Sequence, residues 1–175
     1  MNQRIAVLGA GSWGTALAVL LSEKGYHVRL WARDTSQWET MLKTGENTKY
    51  LPGVMLPPNL MIHHDLRETL TGHNIVLLAV PSHSVREVAK RISSYVRPDT
   101  IIINTAKGFE PESFIRLSLV IREELPAFAG ENITILSGPS HAEEVGRRLP
   151  TAVVVSAHDK RIGERIQDIF MTPYF

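Results

Sequence analysis

Apolar residues fall in short runs along this chain, and stretches of helical periodicity fill the intervals. The first run, Ile5-Ala6-Val7-Leu8, stops at Gly9-Ala10-Gly11-Ser12-Trp13-Gly14, and residues 15–24 then read as a helix. Residues 28–32 read as a second strand after the helix stop at Gly25, and a helix capped by Asp34 or Thr35 runs to Leu42 before Thr44-Gly45. Residues 47–59 carry Pro52, Gly53, Pro57 and Pro58 and predict a loop over the sheet edge. A strand at 60–63 and a helix at 65–70 lead to 75–80, a continuous apolar run of the kind expected for a strand buried on both faces. The helix at 84–95 lines up Val85, Val88, Ala89 and Ile92 on one face. A strand at 100–104, a helix at 112–124 broken by Pro126, and a strand at 133–137 follow. Then come a turn at Gly138-Pro139-Ser140, a short helix at 140–146, a last buried strand at 151–156 and a helix at 159–170. Alternation of this kind implies an α/β fold, a doubly wound, mostly parallel sheet with helices on both faces. Ligands in such folds bind outside the carboxyl ends of the strands.

Composition narrows the chemistry. The 175 residues carry 19 basic and 18 acidic side chains, a formal net charge of +1, so nothing suggests a nucleic-acid or anionic-lipid surface. Cysteine is absent, which removes disulfides, thiolate metal sites and cysteine nucleophiles. The chain enters its first strand at once, without a signal-peptide pattern, and its longest apolar stretch, 16–21, is too short to span a bilayer. A cytoplasmic location without membrane insertion is the expectation. His63-His64-Asp65 are adjacent rather than at ligand spacing, so no metal site is expected. His83 and His141 read as local hydrogen-bonding residues near the crevice.

The glycine spacing carries the first chemical signal. In G-x-G-x-x-G between a strand and a helix, Gly9 permits the turn, Gly11 allows close approach of a pyrophosphate, and Gly14 lets helix and strand pack closely. The helix N-terminus then offers N–H groups and the positive end of its dipole to the anion. This is a Rossmann-like dinucleotide site. Arg33 stands about 20 residues further on, where an acidic residue would take the ribose 2′-hydroxyl of NADH. An arginine there suits a 2′-phosphate, so NADPH is the preferred cofactor, with NADH possible. Asp34 keeps NADH open, although capping the next helix is a competing role.

Four segments taken together resemble the NAD(P)-dependent glycerol-3-phosphate dehydrogenases, bacterial type. They are Gly9-Ala10-Gly11-Ser12-Trp13-Gly14-Thr15-Ala16, Asn47-x-x-Tyr50-Leu51-Pro52, Lys107-Gly108 after a strand, and Ser137-Gly138-Pro139-Ser140-His141-Ala142-Glu143-Glu144. The resemblance implies reversible hydride transfer between a nicotinamide cofactor and dihydroxyacetone phosphate, giving sn-glycerol 3-phosphate, a phospholipid precursor. It also implies that residues 1–175 are the dinucleotide-binding domain alone. The family's helical substrate domain, which supplies the proton-transferring lysine, is absent from this chain, and the isolated chain is expected to be inactive. The full-length form is expected to be a homodimer.

By the same resemblance, Ser12 and Trp13 line the pyrophosphate and ribose, Trp13 having the alternative of a core aromatic. Tyr50 neighbours the adenine or packs under Pro52. Val80-Pro81-Ser82 approaches the nicotinamide ribose or simply ends its strand. Lys107 touches both cofactor and substrate and is the catalytic candidate, because an ammonium near the C2 oxygen stabilises the charge that develops there. Gly138 and Ser140 face substrate and Ala142 the cofactor. A plainer reading makes Ser140 a helix cap, paired with Glu143 in a capping box. Two other classes remain open on the residues: a stand-alone dinucleotide-binding or redox-sensing module, and a related hydroxyacid- or imine-type dehydrogenase.

Overall fold

The computed structural model describes residues 3–125 and 127–175; Pro126, expected to break a helix, and the first two residues of the chain lie outside them. Seven strands form one sheet: β1 (Arg4–Leu8), β2 (His27–Trp31), β3 (Met61–His63), β4 (Ile75–Leu78), β5 (Ile101–Asn104), β6 (Ile133–Ser137) and β7 (Val154–Ala157). Their spatial order is β3-β2-β1-β4-β5-β6-β7. Every neighbouring pair is parallel except β6 and β7. The helices are α1 (Ser12–Glu23), α2 (Thr35–Thr44), α3 (Leu66–Leu70), α4 (Val85–Ile92), α5 (Leu117–Glu124), α6 (Ala142–Gly146) and α7 (Lys160–Phe170). This is the Rossmann-like doubly wound sheet with helices on both faces.

Strand alternation divides the interior in two. Ile5, Val7, Ile75, Leu77, Ile101 and Ile103 point to one face and pack with Leu17, Leu20, Leu21, Ile166 and Phe170. Ala6, Leu8, Val76, Leu78 and Ile102 point to the other and meet Val85, Val88, Ile92, Val120 and Ile121. Both layers are closed to water, which explains why β4 reads as an unbroken apolar run. Each fully buried Val, Leu or Ile stabilises the fold by about 1.5–3 kcal/mol. Lys24 joins the two ends of the chain: its Nζ donates to the carbonyls of Asp168 and Met171 at 2.9 and 2.6 Å, closing the C-terminal end of α7.

Five expectations are corrected. The first helix begins at Ser12 rather than at 15, with Gly11 as its N-cap, so the glycine loop runs straight into the helix. The helix expected from 112 begins at Leu117; residues 109–116 instead close a loop through a bridge between Phe109 and Arg116, with Phe114 at φ 56°. The last strand is Val154–Ala157, antiparallel and at the edge of the sheet, with Val154 67% exposed. The segment 47–59 covers more than an edge: Asn47, Leu51 and Val54 are buried, and the last two pack in the core. The capping box at 140–143 does not form. His141 caps α6 without a side-chain bond, and the Ser140 hydroxyl bonds instead to the Gly138 carbonyl at 3.3 Å.

A titratable group lies in the layer under α3. His73 is 8% exposed, and its Nδ1–H donates to the Thr71 carbonyl at 3.0 Å. Burial lowers its pKa below the ordinary 6.5, and nearby Arg29, Arg4 and His63 push the same way against the Thr71 bond. The folded state therefore binds fewer protons than the unfolded state once the unfolded imidazole begins to titrate. Stability is complete above pH ~6.5 and is lost as the pH falls through that value toward the lowered folded pKa. Urea titrations at pH 7.5 and 5.5 should show this loss in the wild-type chain and a smaller one in His73→Gln.

Candidate functional site

The carboxyl ends of β1, β2, β4, β5 and β6 open on one edge of the sheet, and the predicted residues gather there in two groups. The first surrounds a cavity of about 330 Å³ lined by Gly9, Gly11, Trp31, Arg33, Tyr50 and Pro81, among others. Gly9 has φ 117°, and a Cβ on it would meet the Ala79 carbonyl oxygen at 2.6 Å; the turn there is glycine's alone. Gly14 lies against the same turn, where a Cβ would be 1.9 Å from the Gly9 oxygen. Gly11 differs. A Cβ there would meet nothing within 4 Å, so no protein neighbour demands a glycine, while a ligand pressed against this backbone would. The first N–H groups of α1 have no intrahelical partners and start at this point. The loop thus fits a pyrophosphate.

Arg33 and Asp34 bring charges of both signs to the cavity. Arg33 is exposed and lines the cavity beside Tyr50, itself 41% exposed. The Asp34 carboxylate accepts from Ser36 N at 2.9 Å and Gln37 N at 3.4 Å, so it is engaged as the cap of α2. His83 also lines the cavity.

The second group surrounds Lys107, three residues past β5. Its Nζ donates to the Gly138 carbonyl at 3.1 Å, the Ser140 carbonyl at 3.3 Å and the Ser140 hydroxyl at 3.5 Å. The turn that carries it is tied down on both sides. Asn104 accepts from Ala106 N and donates to Ala106 O, and Thr105 Oγ1 donates to Leu78 O at 2.9 Å. Beyond it, Arg86 grips Glu110 through Nε at 2.6 Å and Nη2 at 3.0 Å, and reaches Glu123 and Glu124 as well. The Arg86 guanidinium and the Ser113 hydroxyl hold the Glu110 carboxyl at about 2, well below its ordinary range. Gly138 has a packing reason of its own, since a Cβ would lie 2.6 Å from the Ala152 carbonyl oxygen.

Trp13 links the groups. Its ring lies 6.0 Å from Lys107 Nζ and 6.3 Å from the Phe175 ring, and its buried Nε1–H has no hydrogen-bond partner among the described residues. Ser12 is half-buried at the first position of α1. Ala142 is buried in the core at the start of α6 and is not among the cavity's lining. Sequence reasoning missed Trp31, Gln37 and the Arg86–Glu110 clamp, all brought in by long-range contacts. Among the described residues no group of three or more His, Asp or Glu could hold a metal ion, and no helix is long and apolar enough to cross a membrane.

A Rossmann-like sheet with a glycine-lined crevice at its strand ends defines an NAD(P)-binding domain of the dehydrogenase kind. The chain belongs to the NAD-dependent glycerol-3-phosphate dehydrogenase family, matching the model of that family's N-terminus over residues 4–163. It is 50% identical over 175 residues to the glycerol-3-phosphate dehydrogenase [NAD(P)+] of Moorella thermoacetica, covering 100% of this chain and 51% of that protein. The crystal structure of the Coxiella burnetii glycerol-3-phosphate dehydrogenase superposes with a TM-score of 0.92 at 35% identity, covering 99% of this chain and 52% of that one. A 3-hydroxyisobutyrate dehydrogenase from Mycobacterium tuberculosis, TM-score 0.73 at 15% identity over 97% of this chain and 51% of that one, shares the fold alone. The chain spans about half the length of the curated relatives it matches.

Proposed function

We propose that this chain is the cofactor-binding half of an enzyme that reversibly reduces dihydroxyacetone phosphate to sn-glycerol 3-phosphate with NADPH. The observation that carries the reading is the open backbone at Gly11, placed on the same sheet edge as a Lys107 already held by Gly138 and Ser140. Half-identity to a protein named for this reaction supports the substrate. The cofactor, when bound, supplies the hydride. Gly9, Gly11, Ser12, Trp13 and Gly14 receive its pyrophosphate, Arg33 and Tyr50 its adenine end, and Pro81, Lys107 and Ala142 its nicotinamide side.

Lys107 is the catalytic residue in this reading. Its ammonium exchanges weak carbonyl acceptors for the substrate's C2 oxygen and stabilises the negative charge that develops on it. Gly138 and Ser140 position both the lysine and the substrate. Residues 1–175 form the dinucleotide-binding domain, and the substrate-closing helical domain and the proton-transfer group belong to the rest of a cytoplasmic homodimer. The 175-residue chain alone is therefore inactive. The test is oxidation of NADPH by dihydroxyacetone phosphate, followed by nicotinamide absorbance, for the longer protein and for this chain. No turnover by the longer protein would sink the substrate assignment; enzyme-like turnover by this chain would sink the two-domain one.

Arg33 is the proposed selector of NADPH, with Asp34 committed to its helix cap. Arg33→Ala should weaken NADPH about tenfold, as expected for one charge-assisted phosphate contact, and leave NADH nearly unchanged. Calorimetry with both cofactors checks it, and an unaltered ratio of affinities would remove Arg33 from the role.

A further inference from the structure

The carbonyl of Ala10, inside the glycine loop, is held twice. Asn47 Nδ2 donates to it at 2.9 Å and Gln37 Nε2 at 2.5 Å. Asn47 gives its other hydrogen to Thr15 Oγ1 at 2.8 Å, in the first turn of α1, and its side-chain oxygen lies 3.4 Å from Gln37 Nε2. Its main-chain oxygen accepts from Tyr50 N and Leu51 N. Asn47 is 0% exposed, so this amide cannot exchange its partners for water, and losing them would leave buried polar groups unpaired.

The consequence lies one atom further along. A trans peptide is planar, with its C=O and N–H pointing in opposite directions. Drawing the Ala10 oxygen toward Asn47 and Gln37 therefore turns the N–H of Gly11 away from them, at the residue whose missing Cβ leaves open space. We infer that Asn47, seconded by Gln37, is a positioning residue for phosphate binding: it locks the Ala10–Gly11 peptide with its N–H aimed at the anion. Asn47 is not among the lining of the cavity and acts only through the loop. The inference rests on the dinucleotide reading above.

Removal of the clamp frees this peptide to rotate. Asn47→Asp goes further, setting a carboxylate oxygen against the Ala10 oxygen. The experiment measures the affinities of this chain and its variants for NADPH and ADP-ribose by calorimetry, and for adenosine by ligand-observed NMR. In both Asn47→Ala and Asn47→Asp, NADPH and ADP-ribose should weaken about tenfold or more, the equivalent of losing one well-placed hydrogen bond, while adenosine binds as in wild type. Should the Asn47 variants not fold, Gln37→Ala is the substitute. It leaves the Asn47 bond in place and should show the same split at about threefold. Equal weakening of all three ligands, or none, overturns the inference and leaves the dinucleotide reading standing. A wild-type chain that binds no dinucleotide overturns that reading and this inference with it.

Discussion

On the proposed function, Lys107→Ala in the longer protein should lower turnover of dihydroxyacetone phosphate by about 10²–10³-fold, the usual loss when one donor to a developing oxyanion is removed. NADPH affinity changes far less. The asymmetry follows from where the ammonium sits. It is on the Gly138–Ser140 side, held by three oxygens, and is not among the lining of the cavity around Gly11. The three acceptors hold the ammonium beside Gly138 and Ser140, and it exchanges them for the substrate oxygen. Lys107→Arg keeps the charge but not the compact ammonium geometry, and should recover only part of the rate. Steady-state kinetics with a separate titration of NADPH decides the matter. If affinity fell and turnover at saturation held, Lys107 would be a cofactor ligand alone and not the catalytic residue.

The second large effect separates two glycines three residues apart. Gly14→Ala should destabilise the chain by about 3 kcal/mol or more, because its Cβ would sit 1.9 Å from the Gly9 oxygen and 3.0 Å from the Ala79 Cβ. Neither neighbour can yield: one is backbone at a positive-φ turn, and the other belongs to the segment leaving β4. Gly11→Ala meets no atom within 4 Å and should change stability by less than about 1 kcal/mol, a poorer N-cap being its main penalty. Its loss is in binding, about tenfold or more for NADPH, since the new methyl occupies the approach to the loop. Urea unfolding and calorimetry on both variants test the pair. Equal stability losses would mean that Gly11, too, is a packing glycine.

The strands and the glycine loop were legible because their signals are local. Residues 75–80 could be read as a doubly buried strand from their continuous apolar run, and Asp34 as a cap from its place before a helical pattern. What escaped depends on partners distant in the chain. Asn47 was visible only as part of a motif, since its meaning comes from an oxygen 37 residues away. Ser140 and Glu143 have the spacing of a capping box, but Lys107 and Gly138 engage the serine first. Residues 112–116 carry helical composition, yet Glu110 is drawn to Arg86 and the loop closes through Phe109 and Arg116 before a helix can start. In the last strand, a valine run suggested burial, whereas exposure alternates along it, because successive side chains point to opposite faces of the sheet.

The placement of the indoles gives this domain a built-in optical readout with two channels. Trp31 is in the lining of the cavity shared with Arg33 and Tyr50; its Nε1–H is bonded to the His64 carbonyl and the Arg91 guanidinium lies 5.2 Å from its ring. Trp13 sits beside Lys107 with a buried Nε1–H that has no hydrogen-bond partner among the described residues. The third indole, Trp38, is tied to the Ile62 carbonyl and lies tilted at 45° to the His64 ring, and it is not among that lining. Two fluorophores in such different surroundings should emit at different wavelengths, one reporting on the cavity beside Arg33 and Tyr50 and the other on the surroundings of Lys107. With Trp38 replaced by phenylalanine, the emission spectrum would distinguish a ligand that fills one end from a ligand that fills both, without a label.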